Sequence, residues 1–158
     1  MEEKFLDRAI ELAKEGMEEN QGGPFGCVVV KNGEIIGEGC NLVTSKNDPT
    51  AHAEIIAIRD ACRHLSHFQL TDCDIYASCE PCPMCLGAIY WARPRRVYFA
   101  ATREDASNAG FDDDFIYHEL DKSPSERRIP MISHLRDDAR MLFESWIENE
   151  DKIDYCIS

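Results

Sequence analysis

The 158 residues predict an α/β domain, a three-layer α/β/α sandwich built on a mixed central β-sheet, and three observations carry that expectation. Strand-like and helix-like patterns alternate after an opening hairpin. The apolar fraction of 44% supplies one core without disulfide staples. No internal repeat, low-complexity run or linker interrupts the chain, so residues 1–158 are expected to form a single domain ending in a tail, 150–158.

Residues 3–19 predict a helix, because Phe5, Ala9, Leu12, Ala13 and Met17 recur at helical spacing. Gly22-Gly23-Pro24 ends it. Phe25 to Lys31 is rich in β-branched residues, Asn32-Gly33 is a two-residue hairpin signal, and Glu34 to Asn41 forms the returning strand. Thr44 to Thr50 is polar and turn-like. A second helix starts near Asp48-Pro49-Thr50, with Asp48 or Thr50 as its cap, and runs to about Leu65. Asp74 to Ser78 is a short strand, Pro83 to Ala92 a buried helix of little charge, and Arg96 to Ala101 another strand. Residues 103–110 and 113–121 form short helices, 129–134 a last strand, and Leu135 to Asn149 an amphipathic helix carrying Leu142, Phe143, Trp146 and Ile147.

Seventeen basic against thirty acidic residues leave a formal charge of −13. Such a chain is repelled by phosphate backbones, which argues against a nucleic-acid partner, and Arg93, Arg95 and Arg96 are too small a cluster to reverse it. No run approaches the roughly 18 apolar residues of a membrane span, and the N-terminus carries no secretory pattern. The expected compartment is the cytoplasm, where the eight cysteines stay reduced and act as ligands or small buried hydrophobes. Cys27, Cys40, Cys62 and Cys73 belong to the second kind. His64, His67, His118 and His134 lack ligand-like spacing.

Two clusters carry chemistry. His52-Ala53-Glu54 opens the second helix, and Pro81-Cys82-Pro83-Met84-Cys85 opens the third. Cys82 and Cys85 share one face of a first helical turn, where the positive helix end favours thiolates. One imidazole and two thiolates suit zinc and leave one of four tetrahedral positions open for water. A carboxylate that is not a ligand, Glu54, can then move a proton between that water and a substrate amine. The competing arrangement is a closed site in which Cys79 joins His52, Cys82 and Cys85. Pro81 and Pro83 oppose that convergence, and it leaves Glu54 without work.

These motifs resemble the cytidine deaminase-like zinc enzymes. The resemblance covers nearly the whole chain and rests also on Gly22-Gly23-Pro24-Phe25-Gly26, on Asn47 to Thr50, on Tyr90-Trp91-Ala92-Arg93 and on Ala109-Gly110-Phe111-Asp112-Asp113. The last two stretches point to the guanine-acting branch. The resemblance implies a cytidine deaminase-like fold and one zinc ion held by His52, Cys82 and Cys85, with Glu54 as the proton shuttle. It also implies a substrate pocket in which Phe25 stacks on the base and Asn41 bonds its edge. The N–H of Ala53 holds a ring oxygen, Asp113 accepts from the amino group and ring N–H, and Trp91 lines the wall. Tyr155 reaches in from the tail, which in related enzymes crosses to a partner subunit. Plainer roles stand beside these: core packing for Phe25 and Trp91, a turn cap for Asn41 and a solvated helix start for Asp113.

The expected reaction is the hydrolytic deamination of guanine to xanthine and ammonia, a step of purine metabolism, carried out by a homodimer with no nucleic-acid or membrane partner. The alternatives are a tRNA adenosine deaminase, which needs a basic surface, a pyrimidine or s-triazine deaminase, and a non-catalytic zinc-stabilised binding protein.

Overall fold

A computed structural model describes residues 2–155; the end of the expected tail, 156–158, lies outside the described residues. Two compact units follow each other, the first ending at Tyr117 and the second beginning at His118.

In the first unit α1 (Glu3–Glu18) buries Phe5, Ala9, Leu12 and Ala13 as their spacing requires. Met17, expected on the same stripe, is exposed, and Gly16 faces Cys40 instead. The strand β1 (Gly26–Lys31) turns at Asn32-Gly33 into β2 (Glu34–Cys40). Both turn residues have positive φ, 52° and 81°, which matches the twist of a tight hairpin. With β3 (Cys73–Cys79) and β4 (Arg96–Ala101) these strands form one sheet in the order β2-β1-β3-β4. The β1 strand runs antiparallel to both neighbours and β3 runs parallel to β4, so the sheet is mixed.

Alternate residues of β1 enter opposite layers. Val28 and Val30 pack with Phe5, Leu12 and Tyr76 on the α1 side. Cys27 and Val29 pack on the other side with Ile75, Ala77, and residues of α3 (Ala53–Leu65) and α4 (Pro83–Ala92). Helix, sheet and helix therefore form three layers.

The α3 helix lies flush on β2. Its Ala53, Ala57 and Ala61 are fully buried at intervals of one turn. A Cβ on Gly39 would stand 2.4 Å from the Ala53 carbonyl oxygen, and one on Gly37 would stand 2.6 Å from that of Ala57. Two glycines in the strand and three alanines in the helix thus set how closely the helix approaches, and with it the position of the helix start at His52.

Two differences from the expected elements have local causes. The polar stretch before α3 folds into a short helix, α2 (Val43–Lys46), ended by Asn47 in the left-handed conformation. Residues 129–134 form no strand: Pro130 has no N–H to donate, and the Met131 N–H bonds the Pro124 carbonyl at 3.2 Å. Two short helices, α5 (Arg103–Asn108) and α6 (Asp114–Leu120), fall close to their expected places. In the second unit α7 (Arg136–Glu148) carries Leu142, Phe143 and Ile147 exposed, and Trp146 meets Tyr155 with ring centroids 6.4 Å apart. Among the described residues no helix is long and apolar enough to cross a membrane.

At the end of the sheet away from Cys79, Arg95 forks onto Asp74 through bonds of 3.0 and 2.7 Å. This guanidinium holds the Asp74 carboxyl below the usual carboxylate range.

Gly39→Ala is expected to lower the unfolding free energy by about 1–3 kcal/mol through overpacking, read from the urea midpoint, with a parallel fall in bound metal. For Asp74 the folded-state pKa is the depressed one. Its contribution is therefore complete above the unfolded value of 3.8 and is lost as pH falls through the folded value. Asp74→Asn should cost about 1 kcal/mol at neutral pH, and the difference from wild type should shrink in melts recorded below pH 4.

Candidate metal centre and active site

The sheet gathers the site at one end. Phe25 precedes β1, Asn41 follows β2, and Cys79 at the end of β3 pairs with Ala101 at the end of β4. Both α3 and α4 start at this end, and their N-cap residues are His52 and Cys82. Asp48 and Thr50 do not cap α3. The Asp48 carboxylate instead accepts from the Thr50 N–H at 2.8 Å and its hydroxyl at 2.7 Å, closing a small turn. The capping position falls to His52, whose side chain makes no capping bond. In α4, Pro83 occupies the first turn, where a missing N–H costs nothing, and Cys82 Sγ accepts from the Cys85 N–H at 3.5 Å.

The imidazole and the two thiols meet. His52 Nδ1 lies 3.5 Å from Cys82 Sγ and 3.5 Å from Cys85 Sγ. The three ligand atoms all lie within 4.8 Å of one another, close enough to share one ion. Their chemistry fits zinc: a borderline-soft set of one nitrogen and two sulfurs at the positive ends of two helices. Bonding from Cys85, then from His52, pulls the Cys82 thiol down to about 4, so it is the readier thiolate. Hydrogen bonding to Cys82, burial and the Glu54 charge push the Cys85 thiol upward.

Cys79 stays out of the cluster. Its thiol donates to the Thr102 carbonyl at 3.5 Å. Burial, with Glu54 adding to it, pushes it up to about 11, so it remains a neutral thiol. The closed four-ligand arrangement is not formed.

Glu54 is 8% exposed, and its Oε2 accepts from Cys85 Sγ at 3.4 Å. Burial raises its carboxyl above the ordinary range, opposed by a backbone hydrogen bond and by His52. It stands beside the ligands without being one of them.

A cavity of about 370 Å³ opens over this group, lined among others by Phe25, Asn41, His52, Glu54, Cys82 and Asp113. Phe25 packs against the core and also lines the cavity. Asn41 lines the cavity as well. Its Oδ1 accepts from the Gly23 N–H at 3.3 Å and the Val43 N–H at 3.1 Å, which fixes two turns. Asp113 is half-buried, and burial followed by the charge of Cys82 raises its carboxyl. Ala53 is fully buried as the first residue of α3, where its N–H has no partner within the helix.

Trp91 is not brought to the cavity. It is 58% exposed, with Leu86 and Tyr90 also exposed on α4, so this helix is only half the buried element its composition suggests. Tyr155 lies in the second unit against Trp146. Cavity residues to which the sequence reading gave no role include Arg103, Glu80 and Phe111. Of these, Phe111 carried a signal, since it stands within the Ala109 to Asp113 motif.

Residues 1–101 match the family model described as the cytidine and deoxycytidylate deaminase zinc-binding region. The chain is 56% identical over 153 residues to guanine deaminase of Bacillus subtilis (strain 168), covering 97% of this chain and 98% of that one. The X-ray structure of guanine deaminase from Bacillus subtilis superposes with a TM-score of 0.96 at 54% identity, covering 99% of each chain. The tRNA-specific adenosine deaminase of Aquifex aeolicus (strain VF5) is 43% identical over 99 residues, 63% of this chain and 65% of that one.

His52→Ala and Cys82→Ser are each expected to leave purified protein nearly free of zinc by atomic absorption, against about one ion per chain in wild type. Stripping the metal with a chelator should lower Tm by several degrees, because the ion binds only the folded arrangement.

Proposed function

Because the chain belongs to the cytidine and deoxycytidylate deaminase zinc-binding family, we propose that it is a zinc aminohydrolase that converts guanine and water to xanthine and ammonia. The observation that carries the chemistry is the buried Glu54 carboxylate beside His52, Cys82 and Cys85 at the floor of a ring-sized cavity. The choice of guanine is supported by the extent of likeness. The match to the tRNA deaminase spans 99 residues, whereas that to guanine deaminase spans 153. A charge of −13 also disfavours an RNA substrate.

His52, Cys82 and Cys85 would hold a zinc ion, which when bound would lower the pKa of water and so supply the nucleophile. Glu54 takes the water proton and passes it to the ring nitrogen beside the amino-bearing carbon. The water oxygen bonds to that carbon. Glu54 next carries the second proton to the amino group, the carbon–nitrogen bond breaks, and ammonia leaves. Burial raises the Glu54 carboxyl above its ordinary range, which strengthens it as the base that takes the proton.

Phe25 offers a ring face for stacking. With its Oδ1 engaged by two backbone N–H groups, Asn41 presents Nδ2 to an acceptor on the base. The Ala53 N–H holds a ring oxygen. Asp113 accepts from the ring N–H and amino pair that guanine has and adenine lacks. We assign Tyr155 to a second copy's pocket in a homodimer joined through the apolar face of α7, which exposed Leu142, Phe143 and Ile147 supply. The reduced thiols suit the cytoplasm.

Ammonia release from guanine, guanosine, adenine and cytosine is expected to be fastest with guanine, and faster release from any of the other three would overturn the reading. Glu54→Ala should keep zinc and lose at least about 10²-fold in kcat; unchanged turnover rules out the proton shuttle. Asp113→Ala should lose about tenfold or more in kcat/KM for guanine with zinc retained, the value of one charge-assisted pair. Sedimentation at micromolar protein tests the dimer.

A further inference from the structure

Phe111 lies outside the metal cluster and has no part in the proton transfers. Its ring meets Phe25 edge to face, with centroids 4.9 Å apart and planes at 86°. Both rings line the cavity. Gly23 closes the third side: a Cβ there would stand 3.0 Å from Phe25 Cε2 and 3.1 and 3.2 Å from Phe111 Cε1 and Cζ. The backbone delivers Phe111 to this spot through a turn after α5. Gly110 has a φ of +92°, and the Phe111 N–H bonds the Ala106 carbonyl at 2.9 Å. Asp113 follows two residues later on the wall of the same cavity.

The ring is 43% exposed, so burial of apolar area does not account for its place. What it does have is a directed contact. Edge-to-face pairs prefer one mutual tilt, and a flat heterocycle stacking on Phe25 needs that tilt held.

We propose that Phe111 is a positioning residue for the substrate ring. Its contact with Phe25 sets the plane on which the base stacks and ties the turn bearing Asp113 to the head of β1. The inference rests on the reading of the cavity as a purine site. Glu54 stands on α3, apart from this wedge, so the loss of Phe111 weakens binding far more than proton transfer.

The test uses the zinc-loaded enzyme with guanine, adenine and cytosine, and follows ammonia release for whichever base wild type turns over fastest. Phe111→Ala is expected to raise KM at least about tenfold while kcat falls less than about threefold, with zinc content unchanged. Phe111→Leu keeps apolar bulk without an aromatic edge and should show most of the same KM defect; Phe111→Tyr should restore it. Gly23→Ala, which levers the two rings apart without removing either, should raise KM about threefold or more. Wild-type KM in Phe111→Leu, or KM within twofold of wild type in both Phe111→Ala and Gly23→Ala, overturns the inference. If wild type prefers adenine or cytosine, the guanine reading falls and Phe111 is judged on that base. A wild type that releases ammonia from none of the three overturns both.

Discussion

The close seating of α3 on β2 is the constraint on which the site depends. A helix start can place a metal ligand only as accurately as the helix is held, and α3 is held by alanines set against glycines. Small residues give the contact little freedom to adjust: the backbone of one element rests on the backbone of the other. His52, Ala53 and Glu54 inherit that rigidity because they stand at the end of α3 that Gly39 touches. A looser helix with larger side chains could bury as much apolar surface and still misplace an imidazole by an ångström, a shift large enough to lose a catalytic geometry.

The electrostatics of the site follow from two helix starts facing one point. A helix N-terminus favours negative charge, and here two of them serve a pair of thiols and the Glu54 carboxyl. Burial raises the carboxyls of Glu54 and Asp113, and the charge of Cys82 adds to it. A divalent ion held by His52, Cys82 and Cys85 would offset that gathering of negative charge. The metal therefore balances charge for the fold as well as supplying chemistry, and Cys79, turned away onto the Thr102 carbonyl, adds no further negative charge.

Much of this was legible where the signal is local. Asn32-Gly33 specifies its turn by backbone preference alone, and Pro83 and Arg93 bracket α4 within the expected residues. The ligand set could be read because His52 and the Cys82–Cys85 pair each carry their spacing within a few residues. What escaped depends on partners distant in sequence. Asp48 and Thr50 look like caps until they are seen bonding each other. Met17 has the right period for burial, but the tight approach to Cys40 falls to Gly16. Trp91 is apolar enough for a core, yet stands on the outer side of its helix. Phe111 gives no periodic signal, and its meaning comes only from Phe25, far away along the chain.

The spacing of the ligands has a consequence for how the protein matures. His52 and Cys82 are 30 residues apart, and the stretch between them includes β3, which is hydrogen-bonded along its length to β1. A chain that has not yet threaded this strand into the sheet offers an ion at most the cysteine pair. Complete chelation is then a late event of folding, and uptake of the ion should keep time with sheet assembly rather than with the supply of metal.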